Sequence, residues 1–183
     1  IERCDGLKAI SGLSGLTTLS GDLSVCSNSA LVSLSGFSAL ATTSGLVEVC
    51  SNPALTGITG LSSLTAAGEV TVQGNDALVL LSGLAALSTP GALTVNDNDA
   101  LLTVDDLAAV TSLTDTLAVR YNDALISVEG LHGVSAVGGD LKVTHNTALG
   151  DAAGKALLAA IGEKNITGDC LLYTSPSPRD GTK

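Results

Sequence analysis

The pattern Asn-x-Ala-Leu occurs six times, beginning at Asn28, Asn52, Asn75, Asn98, Asn122 and Asn146, in steps of 24, 23, 23, 24 and 24 residues. A fixed period of this length constrains the fold more than any other feature, because each repeat is then one structural unit stacked on copies of itself. Just before each Asn stands an alternating apolar pair: Leu23/Val25, Val47/Val49, Val70/Val72, Leu93/Val95, Leu117/Val119 and Leu141/Val143. Alternation with a period of two is the mark of a strand with one buried face. After each Asn the apolar register continues through Leu31, Leu55, Leu78, Leu101, Leu125 and Leu149, then Leu34, Ile58, Leu81, Val104 and Val128. Two more rows run Phe37, Leu61, Leu84, Leu107, Leu131 and Leu40, Leu64, Leu87, Val110, Val134. Gly36, Gly60, Gly83 and Gly130 precede the first of these rows, with Asp106 as the exception, which suits a corner needing a positive φ or a close backbone approach. Leu7, Ile10, Gly12, Leu13 and Leu16 fit the same template and predict a partial coil before the first full one.

A coil of 23–24 residues cannot bury its own apolar side, so neighbouring coils must share one core and exchange hydrogen bonds at about 4.8 Å per rung. Composition agrees: 45% of residues are hydrophobic, yet there are one Phe, two Tyr, no Trp and no Met, because a bulky ring needs matched space in each adjacent rung. The predicted fold is an all-β solenoid, parallel and β-helix-like, of about seven coils. It occupies residues 1–150, with a truncated N-terminus expected because Ile1 is not an initiator Met. From Asp151 the template fails, and the stretch to Lys164 reads as an amphipathic helix with Leu157, Leu158 and Ile161 on one face. Residues 151–169 are therefore expected to form a capping helix and, from Ile166, the start of a final strand. Cys170 to Asp180 resembles the in-frame translation of a transposase-type sequencing-library adapter. Residues 170–183 are accordingly read as a non-native tail, and Cys170 and Tyr173 are given no functional weight.

A net charge of −10 repels phosphate backbones and anionic lipid, so neither nucleic acid nor a membrane surface is an expected partner. The 19 uncharged residues from Ala77 to Val95 are interrupted by Ser82, Gly83, Ser88, Thr89, Pro90 and Gly91 at repeat corners and do not read as a membrane span. Signals for catalysis are poor. Gly150-Asp-Ala-Ala-Gly154-Lys155-Ala156 is one residue short of a phosphate-binding loop and lacks its Ser/Thr, so it reads as a helix start. Gly-x-Ser at Gly12, Gly36 and Gly60 belongs to the repeat and never completes a nucleophile elbow. His132 and His145 stand in different phases of the coil, so no metal site or triad follows. The chain is read as no enzyme, with no catalytic residue, no metal ligand and no cofactor.

What remains is structural or surface chemistry. An Asn buried at each coil corner can satisfy backbone N–H and C=O groups of its own turn and the next. Asp76, Asp99 and Asp123 follow ladder asparagines and would stack about 4.8 Å apart, a spacing able to hold a hard cation, although no glycine-rich calcium loop accompanies them. Cys26 and Cys50 share the outward phase of adjacent coils, which suits a disulfide; Cys4 could instead bond Cys26 or a partner outside this stretch. A disulfide there, with the Asn165-Ile166-Thr167 sequon, suits an oxidising compartment. The outward strand positions are Ser24/Cys26, Glu48/Cys50, Thr71/Gln73, Thr94/Asn96, Ala118/Arg120 and Lys142/Thr144, too few threonines for a regular ice-binding array. Arg120, Tyr121, Lys142 and His145 would gather on two adjacent C-terminal coils as an aromatic and basic patch on an acidic rod, and Arg and Tyr are favoured interface anchors.

The segments Gly21-Asp22-Leu23 to Phe37 and Gly139-Asp140-Leu141 to Leu149 follow Gly-Asp-Leu-x-Val-x-x-Asn-x-x-Leu. On these residues the chain, from 4 to about 169, resembles the receptor L-domain and its leucine-rich, β-helix-like relatives. The resemblance implies a right-handed solenoid with short strands on each side, placed outside the cell or on its surface, that binds rather than catalyses. The chain departs from that pattern in its helix-capped last repeat and its three cysteines outside the tail, so signalling is not carried over. The function expected is a non-enzymatic extracellular recognition or adhesion module that binds protein or glycan through one solenoid face. The alternatives are a structural or calcium-stabilised surface rod and an ice-binding protein.

Overall fold

The structure, a computed structural model, describes residues 1–173. The adapter-like segment extends past that limit, so its residues 174–180 lie outside the described residues. In chain order the strands are β1 (Ala9–Ile10), β2 (Thr18–Leu19), β3 (Leu23–Cys26), β4 (Ser33–Leu34), β5 (Thr42–Thr43), β6 (Leu46–Cys50), β7 (Ala66–Gln73), β8 (Thr89–Asn96), β9 (Leu117–Arg120), β10 (Leu141–Thr144) and β11 (Cys170–Tyr173), with helix α1 (Asp151–Ile161) between the last two. Every pairing is parallel, and the chain forms a β-solenoid of about six turns.

The principal line of rungs is β3, β6, the second halves of β7 and β8, β9, β10 and β11, each shifted by one repeat. Its register places Val25, Val49, Val72, Val95, Val119 and Val143 side by side, pointing inward. A second line joins β2, β5 and the first halves of β7 and β8, and continues as the bridges from Leu113 to Val137 and from Val137 to Ile166. A third joins β1 to β4, with bridges from Ser33 to Gly57 and from Thr103 to Ser127. The sequence pattern picks out only the principal line. In the second line the inward positions are Thr43, Ala67, Pro90, Leu113 and Val137, a mixture too varied to read as a ladder.

All four apolar rows that follow the asparagines are buried, from Leu31 through Leu149 and from Phe37 through Leu131. The first partial coil differs. Ile10 is buried and Leu7 and Leu16 are half-buried, but Leu13, which shares the phase of Phe37, is 43% exposed because that coil has a neighbour on one side only. The corner glycines are there for close approach rather than for positive φ. A Cβ on Gly83 would stand 1.8 Å from the carbonyl oxygen of Ile58, and one on Gly60 would stand 2.7 Å from that of Leu34.

The last turn is longer than the others. β9 and β10 pair at a shift of 24 residues, Leu117 with Leu141, whereas β10 and β11 pair at 29, Leu141 with Cys170. The five additional residues put α1 where the four preceding coils carry a short 3-10 segment, such as Glu129–Leu131. Leu157 and Ile161 face the core from this helix, and Leu158 packs half-buried beside them. The helix ends at Ile161, three residues before the expected limit, because Gly162 takes φ +80° and donates its N–H to Leu158. The amide of Asn165, the sequon residue, donates to the carbonyl of Ile161 at 2.6 Å and so holds the helix end. The first four residues of the expected tail, Cys170–Tyr173, form a complete rung in register with β10. No helix among the described residues is long and apolar enough to cross a membrane.

Candidate functional site

Each coil turns its corner through one residue in the left-handed region, immediately before the ladder asparagine. These residues are Ser27, Ser51, Gly74, Asp97, Tyr121 and His145, with φ between 52° and 65°, and Arg3 takes the same conformation (φ 54°) before Cys4. The backbone dictates this. The residue's N–H donates to the next coil, as from Ser27 to Cys50 O at 2.9 Å and from Tyr121 to Thr144 O at 3.2 Å, and the turn then presents the Asn side chain inward. All six ladder asparagines are fully buried. The Oδ1 of each of the last five accepts the backbone N–H of the asparagine one coil before, and Asn28 accepts that of Cys4. The Nδ2 groups donate to strand carbonyls, for example from Asn98 to Val72 O at 3.0 Å and to Asn96 O at 2.9 Å.

Left-handed backbone is ordinary for Gly74 and well tolerated by Asp97 and His145, but it is an outlier for a residue as bulky as Tyr121. Residues kept in such a conformation mark positions to examine for function. Tyr121 and His145 occupy successive rungs of this corner, and their rings stack with centroids 4.4 Å apart and planes 11° from parallel. Tyr173 meets His145 edge-on at 5.2 Å. Tyr121 is 43% exposed. At the same corner position of the preceding coil stands Asp97, which offers no second ring to stack on Tyr121. Asp97 Oδ2 accepts hydrogen bonds from Asn96 Nδ2 at 3.0 Å and Gln73 Nε2 at 3.4 Å, making a polar rim beside the ring.

Arg120 lies in register with Asn96 on one side and Thr144 on the other. It makes no ion pair among the described residues, and its Nε and the Oδ1 of Asn96 are both buried without a hydrogen-bond partner there. Lys142 pairs with Ala118 in register, two residues before Thr144 on β10, and its ammonium is held by Asp140 at 2.5 Å. The structure thus stacks His145 on Tyr121, next to Arg120 in the chain, and engages Lys142 with Asp140. Tyr173, set aside with the tail in the sequence, completes the ring cluster, and Asp97 and Gln73 were missed because their phase alone says nothing of the aromatic beside them. A cavity of about 130 Å³, lined by Ile126, Glu129, His132, Ala153 and Ala156, lies separately where α1 packs on the penultimate coil.

The disulfide joins Cys26 to Cys50 across adjacent rungs, with their Cα atoms 4.5 Å apart. Cys4 and Cys170 are free and exposed. Of the stacked aspartates, Asp99 has its carboxyl held above the ordinary range, first by partial desolvation and then by repulsion from Asp123, Asp76 and Asp97. Together the fold and this corner define the chain as a parallel β-solenoid repeat protein with a rung-to-rung disulfide and an aromatic corner near its C-terminal end. Compared with protein-family models, with curated proteins and with solved structures, the chain has no significant match.

Proposed function

We propose that this solenoid is a non-enzymatic recognition module of the extracellular or cell-surface kind, related to the receptor L-domain type, and that it binds its ligand at the Tyr121 corner. The carrying observation is that Tyr121, held in left-handed backbone and stacked on His145 at 4.4 Å, is 43% exposed. A sugar ring suits this surface best. Its apolar face can lie on the Tyr121 ring, while hydroxyls, which donate and accept, can meet Asp97, Gln73 and the unpaired Arg120 guanidinium. The Cys26–Cys50 disulfide supports an oxidising compartment.

A glycan array followed by titration of the best hit tests the reading, with wild type and Tyr121→Ala compared. Removal of a central aromatic anchor is expected to weaken binding at least about tenfold. Equal binding by Tyr121→Ala, with its far-UV circular dichroism unchanged, removes this corner as the site.

A further inference from the structure

The outer face of the first two full coils holds a second group of reactive atoms. Cys26, Glu48 and Cys50 bring one ligand atom each within 4.8 Å of one another. Ser24 Oγ stands 2.8 Å from Glu2 Oε1 and 3.5 Å from both the Cys26 sulfur and Glu48 Oε2. We propose that, once the disulfide is reduced, Cys26, Cys50 and Glu48 form a binding site for one thiophilic divalent cation of the zinc and cadmium class.

The rungs themselves preorganise this site. β3 and β6 pair over four residues, from Leu23 with Val47 to Cys26 with Cys50, and Asn28 and Asn52 bond just beyond. The disulfide therefore ties together strands already fixed in register, and cutting it leaves both thiols on the same face. Two sulfurs bound to one zinc at about 2.3 Å each stand no more than about 4.6 Å apart, a separation reached by side-chain rotation over Cα atoms 4.5 Å apart. Two thiolates with one carboxylate select zinc or cadmium over calcium or magnesium. A dithiol reductant supplies two electrons and two protons and is itself oxidised to a disulfide, while the Cys26–Cys50 bond breaks and each sulfur leaves as a thiol. The cation then releases the two thiol protons to solvent and takes both thiolates with a Glu48 oxygen. Closed, the disulfide occupies both sulfurs, so the site opens only in reducing surroundings. The sequence hides it because no Cys-x-x-Cys or His pair is present; Glu48 and Cys50 stand two residues apart on β6, and Cys26 joins them only across rungs.

The test uses the full chain carrying Cys4→Ser and Cys170→Ser, which removes the exposed free thiols. The protein is reduced with a dithiol, desalted without oxygen and titrated with cadmium, following thiolate-to-cadmium charge-transfer absorption, with zinc competition as a second reading. One equivalent is expected to bind to the reduced protein and none to the oxidised protein. Glu48→Gln should weaken binding at least about tenfold, the lower range for loss of even an outer-shell partner. No charge-transfer band after reduction, equal binding by the oxidised protein, equal binding after Cys50→Ser, or loss of the far-UV strand signal on reduction each overturns the proposal. The oxidised sample has the same sequence, so the comparison stands even where Cys50→Ser does not fold.

Discussion

The side-chain oxygen of Asn122 accepts the backbone N–H of Asn98, one coil before it, at 3.1 Å. Asn98 in turn accepts from Asn75 N–H at 3.1 Å and donates to Val72 O and Asn96 O, all in the buried interior. Replacing it with Ala leaves the buried N–H of Asn75 without its acceptor and takes one hydrogen bond each from Val72 O and from Asn96 O, which still accepts the N–H of Gly74. At about 1–3 kcal/mol for a buried group left unsatisfied, Asn98→Ala should lower the unfolding free energy by about 2 kcal/mol or more in urea denaturation. Asp123→Ala, at an exposed neighbour of the ladder, should change it little.

Two glycines separate steric from conformational demands. Gly83 has ordinary backbone, but a Cβ there meets Ile58 O at 1.8 Å; Gly74 has φ +65° with its nearest contact at 3.5 Å. Gly83→Ala should cost about 1–3 kcal/mol through forced backbone movement. Gly74→Ala should cost about 1 kcal/mol through the left-handed conformation alone. Denaturation midpoints of both variants check this, and a Gly83→Ala protein as stable as wild type would falsify the close-approach account.

Two carboxylates give opposite pH dependences. Asp99 has a raised folded-state pKa, so its ionisation opposes folding: the unfavourable contribution is present above the raised value and disappears as pH falls below the ordinary 3.8. Asp99→Asn should therefore be more stable than wild type at neutral pH and equal to it in acid. The Asp140 carboxyl is lowered, chiefly by the hydrogen bond from Lys142 and then by the Asp169 N–H, so it contributes stability above 3.8 that is lost as pH falls through the lowered value. Asp140→Asn should be less stable at neutral pH, with the difference vanishing in acid. Urea midpoints measured across pH 2–7 compare the three proteins.

Thiol titration of the denatured, unreduced protein should find two thiols, those of Cys4 and Cys170. Reduction opens a loop closed over a sequence separation of 24 residues, and the unfolding free energy should fall by about 3 kcal/mol on chain-entropy grounds. The far-UV spectrum should stay unchanged, since the rungs keep their register. A titration giving four thiols would show that the disulfide does not form.

The parts of the fold legible in the sequence are those where one residue type recurs for one physical reason. Asn recurs at the corner because its amide both donates and accepts, and Leu or Val recurs where the rows are fully buried. The left-handed position before each Asn was illegible because Ser27, Gly74, Asp97 and Tyr121 share no chemistry; hydrogen bonds to the next coil impose that backbone, not the propensity of the residue. Phase alone put Lys142 with Arg120, but phase does not show that Asp140, two residues away, takes its ammonium. Tyr173 is hidden for another reason: it lies in the adapter-like segment, and only the fold pairs it with Thr144.

The line of left-handed corner residues amounts to a ruler. Each coil contributes one mark at a pitch of about 4.8 Å, and Ser27, Ser51, Gly74, Asp97, Tyr121 and His145 show that the mark can be hydroxyl, bare backbone, acid, phenol or imidazole without disturbing the asparagine beside it. Such a corner can be rewritten one rung at a time without touching the buried ladder that joins the coils.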